Sequence, residues 1–83
     1  MTDLKIGYWF LLGPVHYTVV HFYETSRGNV ALLVRMDAEC PYITVRDLSK
    51  RTGGNYDWAW GHYFRNFEDA VRDYLARKAD LEA

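Results

Sequence analysis

The sequence predicts an α+β fold in which a five-stranded antiparallel β-sheet, connected as a meander, carries one C-terminal α-helix packed on one face. Two observations lead to this prediction. Five segments alternate at period two or are rich in β-branched and aromatic residues, and short turns separate them. The last segment instead places its apolar residues at helical spacing. With 83 residues, the chain is expected to form a single domain over 1–83.

The predicted strands end at glycine, proline or polar turn residues. They span 4–12, 15–25, 30–36, 42–48 and 56–64. The third is nearly continuous in apolar residues, which is typical of a central strand covered on both faces. In the fifth, bulky rings occupy every second position, at Tyr56, Trp58, Trp60, His62 and Phe64. Strand periodicity therefore places all of these rings on one face of the sheet.

The C-terminal segment predicts an amphipathic helix over about 67–80. Asn66 is suited to the N-cap position, and acidic residues follow it in the first turn, where the helix dipole favours them. The expected apolar face consists of Phe67, Ala70, Val71, Tyr74 and Leu75. Two pairs spaced four residues apart are expected on the solvent side, Glu68–Arg72 and Asp73–Arg77.

A comparison of widths suggests that aromatic surface is left uncovered. Five strands at about 4.8 Å spacing make a sheet roughly 24 Å wide, whereas a helix is about 10–12 Å across. Large rings are predicted on both faces of the sheet, with Tyr8 and Phe10 opposite Trp9. Twist or curling of the sheet hides part of this surface. We expect the remainder to be available for contact with a partner.

Composition and motifs argue against several classes of function. Ten Lys and Arg residues balance eleven Asp and Glu residues, which does not favour a nucleic-acid or membrane-surface protein. Cys40 is the single cysteine, so no intrachain disulfide is possible and a reducing cytoplasm is favoured. His16 and His21 are predicted to point to opposite faces of a strand, and no metal site or cofactor is expected. No nucleophile–base pair can be assembled, so an enzyme is not predicted.

The surplus rings therefore predict a partner-binding surface. Its candidate contacts are Tyr56, Trp58, Trp60 and Tyr63, with the basic residues Arg46, Lys50 and Arg51 at the rim. The alternative interpretation of the Trp58 and Trp60 rings is that they form core beneath the helix. Two other functions remain open: single-stranded nucleic-acid binding by the rings and the basic loop, and a structural module that self-associates as a homodimer.

Two segments carry a resemblance to a known group of proteins. They are "NVALLVRMDAECPYITVRDL" and "HYFRNFEDAVRDYLARK", the second containing Phe67, Ala70 and Tyr74 in an F-x-x-A-x-x-x-Y helix. Together they resemble small accessory proteins encoded by phages and conjugative elements, anti-CRISPR inhibitors among them. The resemblance implies a non-enzymatic inhibitor in the host cytoplasm that binds a larger protein or nucleoprotein complex, such as a CRISPR effector.

Overall fold

The computed structural model describes residues 6–12, 14–35, 38–50 and 56–82. Its elements are β1 (Trp9–Leu12), β2 (Val15–Thr25), β3 (Gly28–Arg35), β4 (Tyr42–Lys50), β5 (Tyr56–Phe64) and α1 (Phe67–Glu82). The strands form one antiparallel sheet in the order β1-β2-β3-β4-β5, with neighbours in sequence paired side by side. The predicted α+β meander with a C-terminal helix is therefore confirmed.

The central strand β3 is covered on both faces, as its continuous apolar sequence predicts. Val30 and Leu32 point toward α1, and Ala31 and Leu33 point to the opposite side. All four side chains are fully buried. We call the side that carries α1 the helix face and the opposite side the inner face.

The sheet curls so strongly that its two edge strands meet across the inner face. The rings of Phe10 on β1 and Tyr56 on β5 lie 4.1 Å apart between centroids, far closer than the width of a flat five-stranded sheet. The hydroxyls of Tyr8 and Tyr56 are hydrogen-bonded to each other. The inner-face core consists of Phe10, Tyr17, Val19, Ala31, Leu33, Ile43, Val45, Leu48 and Tyr56. Curling therefore removes much of the aromatic surface that the helix leaves uncovered.

The helix face has a smaller core beneath α1. Its buried members are Val30, Leu32, Ala70, Tyr74 and Leu81. The Tyr74 ring stacks on His21 of β2, with 5.3 Å between centroids. The prediction that Leu75 belongs to the apolar face is wrong, because it is one residue, about 100°, beyond Tyr74 around the helix and is exposed.

The fifth strand contains a β-bulge that its sequence pattern did not reveal. Arg46 of β4 pairs with Ala59, but Thr44, two residues earlier, pairs with His62. Three residues of β5 thus span the length of two residues of β4, which defines a bulge. Trp60 lies in the bulge with a φ of 47°, in the left-handed region.

The bulge reverses the faces of the second half of β5. Tyr56 and Trp58 pack against the inner-face core, whereas Phe64 packs against the helix-face core. His62 also lies on the helix side, where it contacts Asp73 of α1. The prediction that all the alternating rings of β5 share one face is therefore wrong, because one extra residue changes the side to which every later residue points.

Candidate protein-contact surface

Trp60 is the most exposed of the large apolar side chains in the described part of the chain, with 72% of its surface accessible. Its backbone lies in the left-handed region, which a bulky residue rarely adopts because its Cβ approaches the neighbouring carbonyl oxygen. The position therefore combines an unfavourable backbone conformation with an unburied indole ring. Neither feature contributes to the stability of the fold.

Further rings flank Trp60 along the same strand. A Cβ built on Gly61 would lie 3.3 Å from Trp58 Nε1 and 3.4 Å from the Tyr63 hydroxyl, so these two side chains come together over the glycine. Tyr63 is 50% exposed, and the Arg35 guanidinium lies 5.1 Å from its ring centroid, in cation–π geometry. Trp58, Trp60 and Tyr63 with Arg35 form what we call the β5 aromatic surface.

The structure separates the residues that the sequence grouped as contacts. Trp58 is half-buried against Tyr17, with centroids 5.4 Å apart, and Trp60 and Tyr63 are exposed. Tyr56 is only 9% exposed and belongs to the inner-face core, where it closes the curl. It is therefore not available as a contact ring, because its ring is buried against Phe10 of β1.

The structure does not place the predicted basic residues beside the exposed rings. Arg46 is half-buried on the helix face, on the same side of β4 as Thr44. Lys50 ends β4, and its side chain lies outside the described part of the structure, as does all of Arg51. Among the described residues, the basic side chain found over one of the exposed rings is Arg35, which lies over Tyr63. Tyr63 lies on β5, two strands away from Arg35 on β3, so the contact depends on strand pairing that no local pattern indicates.

A second exposed apolar group occupies the opposite edge of the sheet. Trp9 is 57% exposed and stacks on His16 of β2, with 5.0 Å between centroids. Leu11 and Ile6 are also exposed. The alternation of β1 predicted that Trp9 lies on the other face of the sheet from Tyr8 and Phe10. The packing shows in addition that α1 leaves the Trp9 ring uncovered.

A polar network at the seam between α1 and the strands β4 and β5 was not predicted. Asp73 accepts hydrogen bonds from the Thr44 hydroxyl and from His62 Nδ1, the latter at 3.1 Å. Arg77 Nε lies 3.6 Å from the same Asp73 oxygen. Arg77 Nη1 donates to the Thr44 carbonyl at 3.3 Å, and its Nη2 donates to His62 Nε2 at 2.9 Å. Because Nε2 must accept this bond, His62 is the neutral tautomer that carries its proton on Nδ1.

The Asp73–Arg77 pair was expected on the solvent side of α1, and that expectation is wrong for Arg77. Its side chain is 11% exposed and points under the helix toward β4. Burial lowers the pKa of Arg77, the adjacent Asp73 carboxylate opposes this change, and the nearby Arg46 lowers the pKa further. The second expected pair also differs, since Arg72 contacts Asp69 at 3.3 Å.

The described residues contain neither a cluster of potential metal ligands nor a membrane-spanning helix. In that part of the chain, no group of three or more His, Cys, Asp or Glu side chains is arranged to hold a metal ion. The one helix described there is neither long enough nor apolar enough to cross a bilayer.

Comparison with known proteins yields no relative from which a function could be transferred. No protein-family model, no curated protein and no solved structure matches this chain at a significant level.

Proposed function

We propose that this protein is a small, non-enzymatic binding module that attaches stoichiometrically to a larger protein. A host nuclease complex of the CRISPR type is the candidate target, with the protein acting as a phage or mobile-element inhibitor in the host cytoplasm. The observation that carries the binding function is Trp60, exposed on the bulge of β5. The CRISPR target rests on the resemblance of the sequence segments.

Both the backbone conformation and the exposure of Trp60 reduce the stability of the fold. A left-handed backbone costs a non-glycine residue about 1–2 kcal/mol, and an exposed indole leaves roughly 150–250 Å² of largely apolar side chain unburied. Glycine at position 60 would remove the first cost, with little packing to lose. A residue that opposes folding in both respects indicates selection for contact with something outside the fold.

The neighbours of Trp60 suit a protein partner. Trp, Tyr and Arg dominate the energetics of protein interfaces, and the β5 aromatic surface consists of Trp58, Trp60, Tyr63 and Arg35. Trp58 is held in place by Tyr17, so part of the surface is ordered before binding. Preorganised rings lose little conformational entropy when a partner docks.

Replacement of Trp60 by glycine tests this proposal. We expect Trp60→Gly to raise the free energy of unfolding by about 1 kcal/mol, because the left-handed strain is relieved. We expect the same variant to weaken partner binding by about 2 kcal/mol or more, as loss of a central ring does. Urea unfolding measures the first effect, and calorimetry with a partner captured from the native host measures the second.

Asp47→Gly is the matched control, because Asp47 also has a left-handed backbone, with a φ of 55°, in a bulge of β4. It should leave affinity unchanged. Wild-type affinity in Trp60→Gly would contradict the proposed surface, and a loss of stability in that variant would show that Trp60 has a structural role. Mass spectrometry of the captured material distinguishes a CRISPR complex from another protein, and light scattering detects a homodimer.

A second candidate function is single-stranded nucleic-acid binding, which the exposed Trp60 and Tyr63 rings beside Arg35 would also serve. Salt dependence discriminates between the two functions. Binding to nucleic acid should weaken steeply between low and moderate salt because counterions are released. Binding to a protein through aromatic contacts should weaken only slightly over the same range.

A further inference from the structure

The seam between α1 and the sheet contains an arginine without an acceptor. No hydrogen bond or ion pair of the Arg46 side chain is found within the described residues, and its Nε is sealed from solvent. A buried donor that lacks an acceptor is unfavourable, because its hydrogen bonds to water are lost and not replaced. The positive charge of the Arg46 guanidinium is therefore unpaired within the described residues.

Positive charge exceeds negative charge at this seam. Arg77 approaches β4 closely enough to donate to the Thr44 carbonyl, two residues from Arg46 on the same face. Asp73 is the carboxylate bonded there among the described residues, and Thr44, His62 and Arg77 already contact it. His62 is neutral in this arrangement. Arg77 is thus paired with Asp73, and the charge of Arg46 has no carboxylate partner among the described residues. Lys78 of the same helix, whose Nζ lies 5.0 Å from the Tyr23 ring centroid, adds a further positive charge on the helix face.

We propose that Arg46, with Arg77 behind it, forms a carboxylate-binding site that receives an acidic side chain of the partner protein. A carboxylate suits this site, because one carboxylate balances the one unpaired guanidinium and its two oxygens match the guanidinium fork. Since Arg46 Nε is sealed, the incoming oxygens meet the two Nη nitrogens. Arg77 is engaged with Thr44 and His62 and contributes its charge. That the carboxylate belongs to a protein rests on the proposed function.

The position of the site agrees with a shared interface. Arg46 pairs across the ladder with Ala59, the residue immediately before Trp60. A partner that covers Trp60 therefore reaches the β5 edge next to this seam. The site would add charge complementarity to an interface whose centre is aromatic, and such complementarity mainly increases specificity and the association rate.

A titration of the free protein tests the site without the partner. Sodium acetate, a short peptide with one glutamate among neutral residues, and sodium phosphate are each added at constant ionic strength. The Nε–H signal of Arg46, protected by burial, and the ring signals of His62 are followed by NMR. We expect saturable shifts with acetate and the glutamate peptide, and weaker binding of phosphate.

In Arg46→Gln the concentration of acetate needed for half-saturation, measured at His62, should rise about five-fold or more. Arg46→Lys, which keeps the charge, should bind more tightly than Arg46→Gln. Arg72→Gln is the matched control, since it removes one positive charge from an exposed residue of the same helix, and it should bind acetate as the wild type does.

Three results would overturn the proposal: no acetate response at Arg46 or His62, a response equally strong in Arg46→Gln, or tighter binding of phosphate than of acetate. The Trp60→Gly variant separates the two proposals, because it should lose the partner and keep the acetate response. An intact acetate site together with unchanged partner affinity in Trp60→Gly would contradict the proposed function alone.

Discussion

Asp47 and Trp60 have the same left-handed backbone conformation, but its consequences differ between their two side chains. Both are non-glycine residues with a left-handed backbone, and both lie where the β4–β5 register shifts. Aspartate tolerates this conformation because its short side chain can bond locally. Tryptophan has no such compensation, so only Trp60 requires an explanation outside the fold.

Tyr74 leads to a prediction about alkaline stability. Burial beneath the sheet, and then the nearby Tyr23, raise the pKa of Tyr74 above its ordinary value. In the unfolded chain the phenol ionises near pH ~10, whereas in the folded protein it keeps its proton to higher pH. Above pH ~10 the unfolded state therefore binds fewer protons, and the free energy of unfolding falls as pH rises.

We therefore expect the stabilising contribution of Tyr74 to be complete below pH ~10 and to be lost as pH rises above that value. Tyr74→Phe should flatten the decline, because no phenol ionises there. Urea unfolding at a series of pH values between neutral and alkaline measures this effect in both proteins. Parallel alkaline declines in the two proteins would show that Tyr74 does not control the transition.

At the scale of elements, the start of α1 depends on a single amide side chain. Asn66 Oδ1 accepts a hydrogen bond from the Glu68 backbone N–H at 2.8 Å, and the Asn66 carbonyl accepts one from Ala70 N–H at 3.2 Å. This is the capping arrangement that the sequence predicted, and acidic Glu68 and Asp69 follow in the first turn.

Removal of the cap should destabilise the protein, because the Glu68 backbone N–H would lose its acceptor on Asn66. Asn66→Ala is expected to lower the free energy of unfolding by about 1 kcal/mol. Asn66→Asp keeps an acceptor oxygen and should remain close to the wild type. Urea unfolding followed by circular dichroism provides the measurement, and equal stability of the alanine and aspartate variants would argue against a capping role.

The paired strands β3 and β4 are also joined by a side chain beyond their regular ladder. The buried Asn29 amide donates to the Leu48 carbonyl and accepts from the Leu48 N–H, both at 2.9 Å. The β4 register shift begins after Arg46, so Asn29 satisfies the backbone of a residue inside the irregular segment. Buried backbone groups require such partners.

At the scale of the whole molecule, the edge strands are held together by rings. Phe10 and Tyr56 stack across the curl, and the Tyr8 hydroxyl bonds to that of Tyr56. A ring in this position packs against residues of both edge strands and so holds the two edges of the sheet together. Tyr56 is therefore expected to act in stability, whereas Tyr63, near the other end of the same strand, is expected to act in binding.

Tyr56→Ala should lower the free energy of unfolding by about 3–5 kcal/mol, as truncation of a buried aromatic ring does. Tyr56→Phe keeps the ring and loses the hydroxyl bond, so about 1 kcal/mol is expected. Tyr63→Ala, at a half-exposed position, should change stability by about 1 kcal/mol or less. Denaturant unfolding compares the three variants, and a mild effect of Tyr56→Ala would show that the curl closes without this ring.

The number, type and order of the elements could be predicted from the sequence, because alternation, helical spacing, turn residues and the Asn66 cap are local signals. The sequence also predicted Tyr56, Trp58, Trp60 and Tyr63 as contact rings, because one helix is too narrow to cover the whole sheet. Which of the rings are buried could not be predicted from the sequence, because it depends on the tertiary structure. The β5 bulge reverses the faces after Trp60, and curling seals Tyr56 against Phe10. Both depend on pairing between residues that are distant in sequence. A bulge of one extra residue moves every later side chain of the strand to the opposite face of the sheet, and the sequence pattern does not reveal it.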